Sequence, residues 1–330
     1  MTDIHEQDSA APPDRTAVTG RRKGRGRGEQ PMVPDASFAS YYGRPVLNKP
    51  TWQARDIAGY FFLGGLAGAS SVLAAGAQLT GRPALARGCK AGALVAISGS
   101  LFALVHDLGR PARFVNMLRV AKPTSPMSVG TWLLTAYGPA AGAAAVSELT
   151  GLLPRVGRVA SVAAGLLGPA VAAYTAPLLA NTAVPTWHAG HRDLPFVFVG
   201  SAAAAAGGLG MLVAPVAEAG PARRAVLTGA LCELTAAARM ERTMGLAAEP
   251  LHTGRGGTLM RAARALTVTG AVLGGMLGRR SRAAAVLGGV AALAGSACTR
   301  FGIFHAGVAS AEDPKYTVRP QRERLRASGL

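Results

Sequence analysis

Long stretches without a charged side chain constrain this sequence more than any other feature. The first stretch covers residues 57–81 and exceeds the roughly 20 residues that a helix needs to cross a hydrocarbon core. Further apolar stretches follow, and only 16% of the 330 residues are charged. A soluble globular domain carries more charge than this. The pattern therefore predicts an all-α integral membrane protein.

The apolar stretches allow the spans to be counted. Eight candidate spans cover residues 57–81, 91–106, 124–147, 159–185, 194–217, 225–238, 265–278 and 283–299. The last three are the weakest, because Glu233 interrupts the sixth, the seventh is short and the eighth is marginal. We expect about eight transmembrane helices, and a count of six or seven stays open.

The distribution of basic residues predicts the orientation. With eight spans, the two tails and the loops on their side hold 25 of the 35 Lys and Arg residues. Basic loops stay in the cytoplasm, so both termini are expected there, in the plasma membrane of a prokaryote. The predicted parts are a disordered basic tail with a juxtamembrane segment (1–55), a transmembrane domain (56–308) and a basic tail (309–330). The net charge of +18 follows from the same bias and does not indicate nucleic acid.

The basic run at residues 20–28 contains two consecutive arginines, as a twin-arginine export signal would. No apolar segment follows within reach, so an export signal is not expected. The same run is no dinucleotide fingerprint, because no strand precedes it. A disordered tail near anionic lipid headgroups fits its composition.

Cysteine and histidine residues offer little metal chemistry. The three cysteines stand far apart in the sequence, so no iron-sulfur ligand set forms locally. Most histidines fall in predicted tails or loops, which argues against a haem held between spans. The pair His188 and His191 has no suitable neighbouring ligands. We expect no metal site and no haem or iron-sulfur cluster in this chain.

Ionisable residues at the ends of spans or inside them are the sharpest functional candidates, because such groups are costly in hydrocarbon. Asp107 ends the second span. It is either a surface carboxylate paired with Arg110 or Arg113, or a proton relay beside a redox ligand. His106 can share that task because it titrates near neutral pH. Glu233 lies deeper, where both a proton pathway and an interhelical hydrogen bond remain open.

Other candidates come from the helix-breaking residues and the glycines. Tyr174 and Asn181 flank prolines that free backbone carbonyl groups in the fourth span. Gly64 and Gly68 have the small-xxx-small spacing that lets a second helix or a flat ligand approach the backbone closely.

The chain resembles the NrfD / polysulfide reductase membrane-subunit family from about Tyr41 to Pro314. The longest matching segment, residues 106–132, is specific, whereas each shorter one is weak alone. The segments are YYGRPVLNKPTW, YFFLGGLAGAS, HDLGRPARFVNMLRVAKPTSPMSVGTW, YTAPLLANTAVPTW, DLPFVFVGSAAAAAGG and RFGIFHAGVASAEDP.

The resemblance implies a subunit of two four-helix bundles that exchanges electrons with membrane quinone in a respiratory chain. It also implies two partners, a four-cluster iron-sulfur subunit and a molybdopterin catalytic subunit. By the same resemblance, Asp107 and Tyr174 are the best contacts for the quinone headgroup, followed by His106 and Arg110. The first span lacks a histidine, which leaves a headgroup ligand from that helix in doubt. A small-solute transporter and a membrane anchor without quinone chemistry stay open as alternatives.

Overall fold

The computed structural model describes residues 46–110 and 112–327. This part of the chain is helical, with no strands. The predicted amino-terminal tail (1–55) therefore lies mostly outside the described residues. Pro111 lies outside them as well. The helices are α1 (Ala54–Leu79), α2 (Pro83–Asp107), α3 (Ala112–Met117), α4 (Pro126–Thr150), α5 (Pro154–Ala173), α6 (Thr175–Ala180), α7 (Pro185–Ala189), α8 (Leu194–Val213), α9 (Gly220–Thr243), α10 (Gly254–Thr269), α11 (Arg282–Glu312) and α12 (Lys315–Ala327).

Five helical segments are long and apolar enough to cross a membrane by length and composition. They are Ala54–Leu79, Pro83–Asp107, Pro154–Ala180, Leu194–Val213 and Arg282–Glu312. A multi-pass membrane protein is therefore supported. The other three predicted spans also overlap helices. The third overlaps α4, the sixth lies in α9, and the seventh begins near the end of α10 and continues through the π-helical segment Gly270–Met276. These three segments are shorter or less apolar than the five listed above.

The long helices pack in two groups. In the first group, α1 packs against α2 and α5, and α4 packs against α2 and α5. In the second group, α8 packs against α9 and α11, and α10 packs against α11. Glycines let the backbones approach within each group: a Cβ on Gly68 of α1 would lie 2.4 Å from the carbonyl oxygen of Gly168 on α5. Helix α1 also packs against α8 and α11 and so joins the groups.

A layer of short elements covers one end of both groups. Trp187 of α7 is buried, donates a hydrogen bond to the carbonyl oxygen of Ile303 (2.9 Å) and stacks on Trp52. The turn Gly245–Leu251 joins this layer, where Glu249 accepts a hydrogen bond from Lys315 of α12. That bond raises the pKa of the Lys315 side chain. A salt bridge between Lys49 and Glu312 ties the chain entering α1 to the end of α11.

Several helix boundaries differ from the expected spans. Helix α2 begins eight residues before the expected start because it includes Lys90, which is buried between Gln78 and Glu148 (2.8 Å to each). Helix α11 runs beyond Thr299 through the buried Arg300 to Glu312. The boundary expected between the transmembrane domain and the carboxyl-terminal tail, at residues 308 and 309, therefore falls inside this helix. Arg300 belongs to the group of 25 and Lys90 to the group of 10, so without these two buried residues the basic bias is 24 to 9.

Candidate functional site

A small, partly enclosed cavity lies within the first group of helices, at the end covered by the short elements. Its volume is about 80 Å³, enough for several water molecules. Apolar side chains form most of the wall, and polar groups come from Tyr60, Asp107, Thr131 and Tyr174. Apolar walls with a few converging polar groups are typical of small-molecule sites.

A pair of tyrosines forms one side of the cavity. The hydroxyl groups of Tyr60 on α1 and Tyr174 share a hydrogen bond, and both side chains are buried. Tyr174 lies at the break between α5 and α6, where Pro177 has no N–H to continue the helical bonding. Gly130 of α4 leaves room for the ring, because a Cβ there would lie 2.5 Å from Tyr174 Cε2. The break and the glycine together direct one hydroxyl toward the other.

Asp107 contributes a carboxylate from the last residue of α2. Its Oδ1 accepts a hydrogen bond from the backbone N–H of Gln53 (3.3 Å), and the side chain is partly buried. Within the described part of the chain it forms no salt bridge with Arg110 or Arg113. Arg113 instead donates to the carbonyl oxygen of Leu108 (3.0 Å). The carboxylate is therefore left with free acceptor capacity beside the cavity.

His106 lies next to Asp107 but points elsewhere. Its Nδ1 is 2.8 Å from Oδ2 of Asp56, which is buried in the first turn of α1. The imidazole is largely exposed and stacks on Phe102. It does not line the cavity. The His106–Asp56 pair lies close enough to act electrostatically on Asp107.

The other predicted contacts are not brought to the cavity. Arg110 is exposed beyond the end of α2, and Asn181 is exposed at the end of α6. Gly64 faces Ser100 of α2, where a Cβ would lie 3.2 Å from the hydroxyl oxygen. Gly68 lies against α5, as described above. For the two glycines the geometry favours helix packing over contact with a flat ring.

Glu233 belongs to a separate buried cluster in the second group of helices. It accepts hydrogen bonds from the hydroxyl groups of Thr299 (2.5 Å) and Thr267 (3.3 Å). Arg300 is buried nearby and attracts the carboxylate electrostatically. The guanidinium donates to the carbonyl oxygen of Phe198 (2.7 Å) and lies 3.7 Å from that ring's centroid. Its Nε and Nη1 atoms have no hydrogen-bond partner among the residues that the structure describes.

Sequence reasoning overlooked several of these groups. Tyr60 stands in an apolar run as one aromatic among others, and only its place opposite Tyr174 gives it significance. Arg300 carried a readable signal, because an arginine that continues a marginal apolar run is unusual. Asp56 was not singled out, since it lies just before the first apolar run.

Metal chemistry finds no local support in the described part of the chain. No three His, Cys, Asp or Glu side chains come together there in a way that could hold an ion. The three cysteines are free, with Cys89 buried in α2.

Comparison with protein-family models identifies a family for this chain. The family model described as polysulphide reductase, NrfD, matches residues 47–231, which is more than half of the chain. The matched region includes every residue that lines the cavity. No curated protein gives a significant sequence match.

Proposed function

The chain belongs to the polysulphide reductase NrfD family, and from this premise we propose that it is the quinone-reactive membrane subunit of a multi-subunit oxidoreductase. The subunit passes electrons between the membrane quinone pool and a partner iron-sulfur subunit. Family membership favours this function over solute transport.

We propose that all eight long helices span the membrane, with both termini in the cytoplasm. The two packing groups then form two four-helix bundles. Helix α9 is less apolar than the other spans, but its Glu233 is hydrogen-bonded to the neighbouring helices α10 and α11 and does not face lipid. Polar groups inside a span are tolerated when they face the bundle interior.

The observation that carries the proposal is the convergence of Tyr60, Tyr174 and Asp107 on one cavity. Reduction of a quinone to a quinol adds two electrons and two protons to its two carbonyl oxygens. The tyrosine pair can donate a hydrogen bond to one oxygen. Asp107 can carry protons from water to the ring, because it lies at a helix end and has free acceptor capacity. Tyr60 can also supply a polar contact from the first helix, where the lack of a histidine left a headgroup ligand in doubt.

The partners follow from the family resemblance. Because the chain offers no local iron-sulfur ligand set, the electrons must come from a cluster on another subunit. A four-cluster iron-sulfur subunit and a molybdopterin catalytic subunit fit this need. An iron-sulfur subunit that docks at the end of the helices covered by the short elements lies nearest the cavity.

The decisive experiment begins with purification from the native membrane. An iron-sulfur subunit and extractable quinone should accompany the chain. Recovery of the partner without quinone, together with no quinone-coupled turnover, would identify a plain anchor. Recovery of neither, with solute uptake in vesicles, would favour a transporter.

Asp107→Asn then tests the chemistry. The substitution keeps the acceptor for Gln53 but removes the titrating proton. We expect quinone-coupled turnover to fall by about 10² to 10⁴, the usual contribution of a positioned acid-base group. Electron flow to a water-soluble artificial acceptor should survive, because it bypasses the cavity.

A matched control is Glu218→Gln. Glu218 accepts hydrogen bonds from the backbone of Ala84 and Leu85 at the opposite end of α2. Its substitution should leave quinone turnover unchanged. Normal quinone turnover in a well-assembled Asp107→Asn complex would refute the proton relay.

A further inference from the structure

A second cavity lies on the boundary between the two groups of helices, away from the tyrosine pair. It is an open groove of about 420 Å³, bordered by α1, α5, α8 and α9. Small apolar residues give it its depth, among them Gly76, Ala172 and Ala203. Two arginines, Arg82 and Arg224, are the charged residues of its wall.

We propose that this groove binds one anionic glycerophospholipid, with the acyl chains along the groove and the phosphate between Arg82 and Arg224. The proposal does not depend on quinone chemistry. It requires only that the chain is a membrane protein, which the family and the apolar helices support.

The dimensions of the groove match one leaflet of a bilayer. Its α1 wall runs from Ala69 to Thr80, a rise of about 16 Å at 1.5 Å per residue. Half of a hydrocarbon core is about 15 Å. The groove is therefore as deep as the acyl chains of a single lipid are long.

The charges lie together at the water end. Arg82 follows the carboxyl end of α1, and Arg224 lies in the first turns of α9. The loop before α9 is held against the start of α2 through Glu218, which brings these two ends together.

Both guanidinium groups have donors to spare. Arg82 donates to the carbonyl oxygen of Thr80 (3.4 Å), and no salt bridge involves either arginine in the described part of the chain. Two arginines above an apolar groove complement a phosphate with attached acyl chains. An isoprenoid tail has no charge to meet them, which is why we assign the groove to phospholipid and not to the quinone tail.

Filling the groove is the direct test. Among the described residues, a Cβ on Gly76 meets no atom within 4 Å, so Gly76→Phe attaches a ring to the groove wall with no clash at its Cβ. Gly142 of α4 is equally unobstructed and does not line the groove, so Gly142→Phe is the matched control. The full-length protein is purified in mild detergent, and bound phospholipid is counted by mass spectrometry. Wild type and Gly142→Phe should retain one phosphatidylglycerol per chain that Gly76→Phe lacks.

Removal of charge is the second test and does not depend on the stability of Gly76→Phe. Delipidated protein is titrated with phosphatidylglycerol or phosphatidylcholine in mixed micelles. Arg224→Gln should bind phosphatidylglycerol about 10- to 100-fold more weakly than wild type, as loss of one charge-assisted hydrogen bond implies. Arg155→Gln, an exposed arginine outside the groove, should bind like wild type.

Three results would overturn the assignment. Equal affinity for the two lipids would show that the groove does not select a headgroup with net negative charge, which contradicts the assignment to an anionic lipid. Equal loss of lipid from both phenylalanine variants would place the lipid elsewhere. Quinone recovered in place of phospholipid, and lost in Gly76→Phe alone, would assign the groove to the quinone tail.

Discussion

The buried pair of Glu233 and Arg300 allows a quantitative prediction about stability. No direct salt bridge within 4 Å joins the two side chains, although they attract each other. Glu233→Gln removes the negative charge but keeps an oxygen that can accept from Thr299 and Thr267. Arg300, whose Nε and Nη1 already have no partner, then remains as an uncompensated buried cation.

The expected cost follows from Coulomb's law. Two unit charges about 4 Å apart attract by about 4 kcal/mol at an effective dielectric constant of about 20, so for a pair somewhat beyond that separation we take about 3 kcal/mol. This value agrees with the roughly 3 to 5 kcal/mol lost when one member of a buried pair is removed. We therefore expect Glu233→Gln to lower the free energy of unfolding by about 3 kcal/mol.

A double-mutant cycle isolates this attraction from the hydrogen bonds around it. Arg300→Met keeps most of the volume and leaves Glu233 unpaired, so it should also destabilise. In the double variant no buried charge remains, and the loss should be about 3 kcal/mol smaller than the sum of the single losses. The free energies are measured by reversible unfolding in mixed micelles. Losses that add within about 0.5 kcal/mol would show that the two charges do not interact.

Two further predictions concern packing and topology. Gly68→Ala should lower the free energy of unfolding by about 1 to 3 kcal/mol, because its Cβ would collide with the carbonyl oxygen of Gly168 on α5. Gly59→Ala is the control: a Cβ there meets no atom of the described residues within 4 Å, so this variant should be neutral or stabilising in the same unfolding assay. Reporter fusions after Lys122 and after Arg158 should give opposite compartments, with Lys122 in the cytoplasm, and a shared compartment would contradict the eight-span topology.

The positions of the helices were largely predictable, because apolar length is a property of the sequence alone. The boundaries failed where the chain buries a charge. Lys90 stood just before the start of the second predicted span and Arg300 just after the end of the eighth, yet both lie inside helices. Their partners, Glu148 and Glu233, come from helices distant in the sequence. Periodicity and composition cannot supply such pairings.

The candidate site was predicted in part for the same reason. Asp107 and Tyr174 were identified by resemblance, and the structure brings both to one cavity. Arg110 was implied by the same resemblance and Asn181 was chosen for its neighbouring prolines, but both side chains are exposed. Tyr60 was missed because a tyrosine in an apolar run usually serves packing. Its hydrogen bond to Tyr174 spans 114 positions of sequence.

The lining of the cavity also has a consequence for the order in which the protein is made. Every lining residue falls between Trp52 and Leu178, so the ribosome completes the whole wall before it begins α8. Chains fold from the amino terminus as they emerge. The cavity can therefore close around its tyrosine pair while the second half of the protein is still being synthesised, and the later helices add support to a site that already exists.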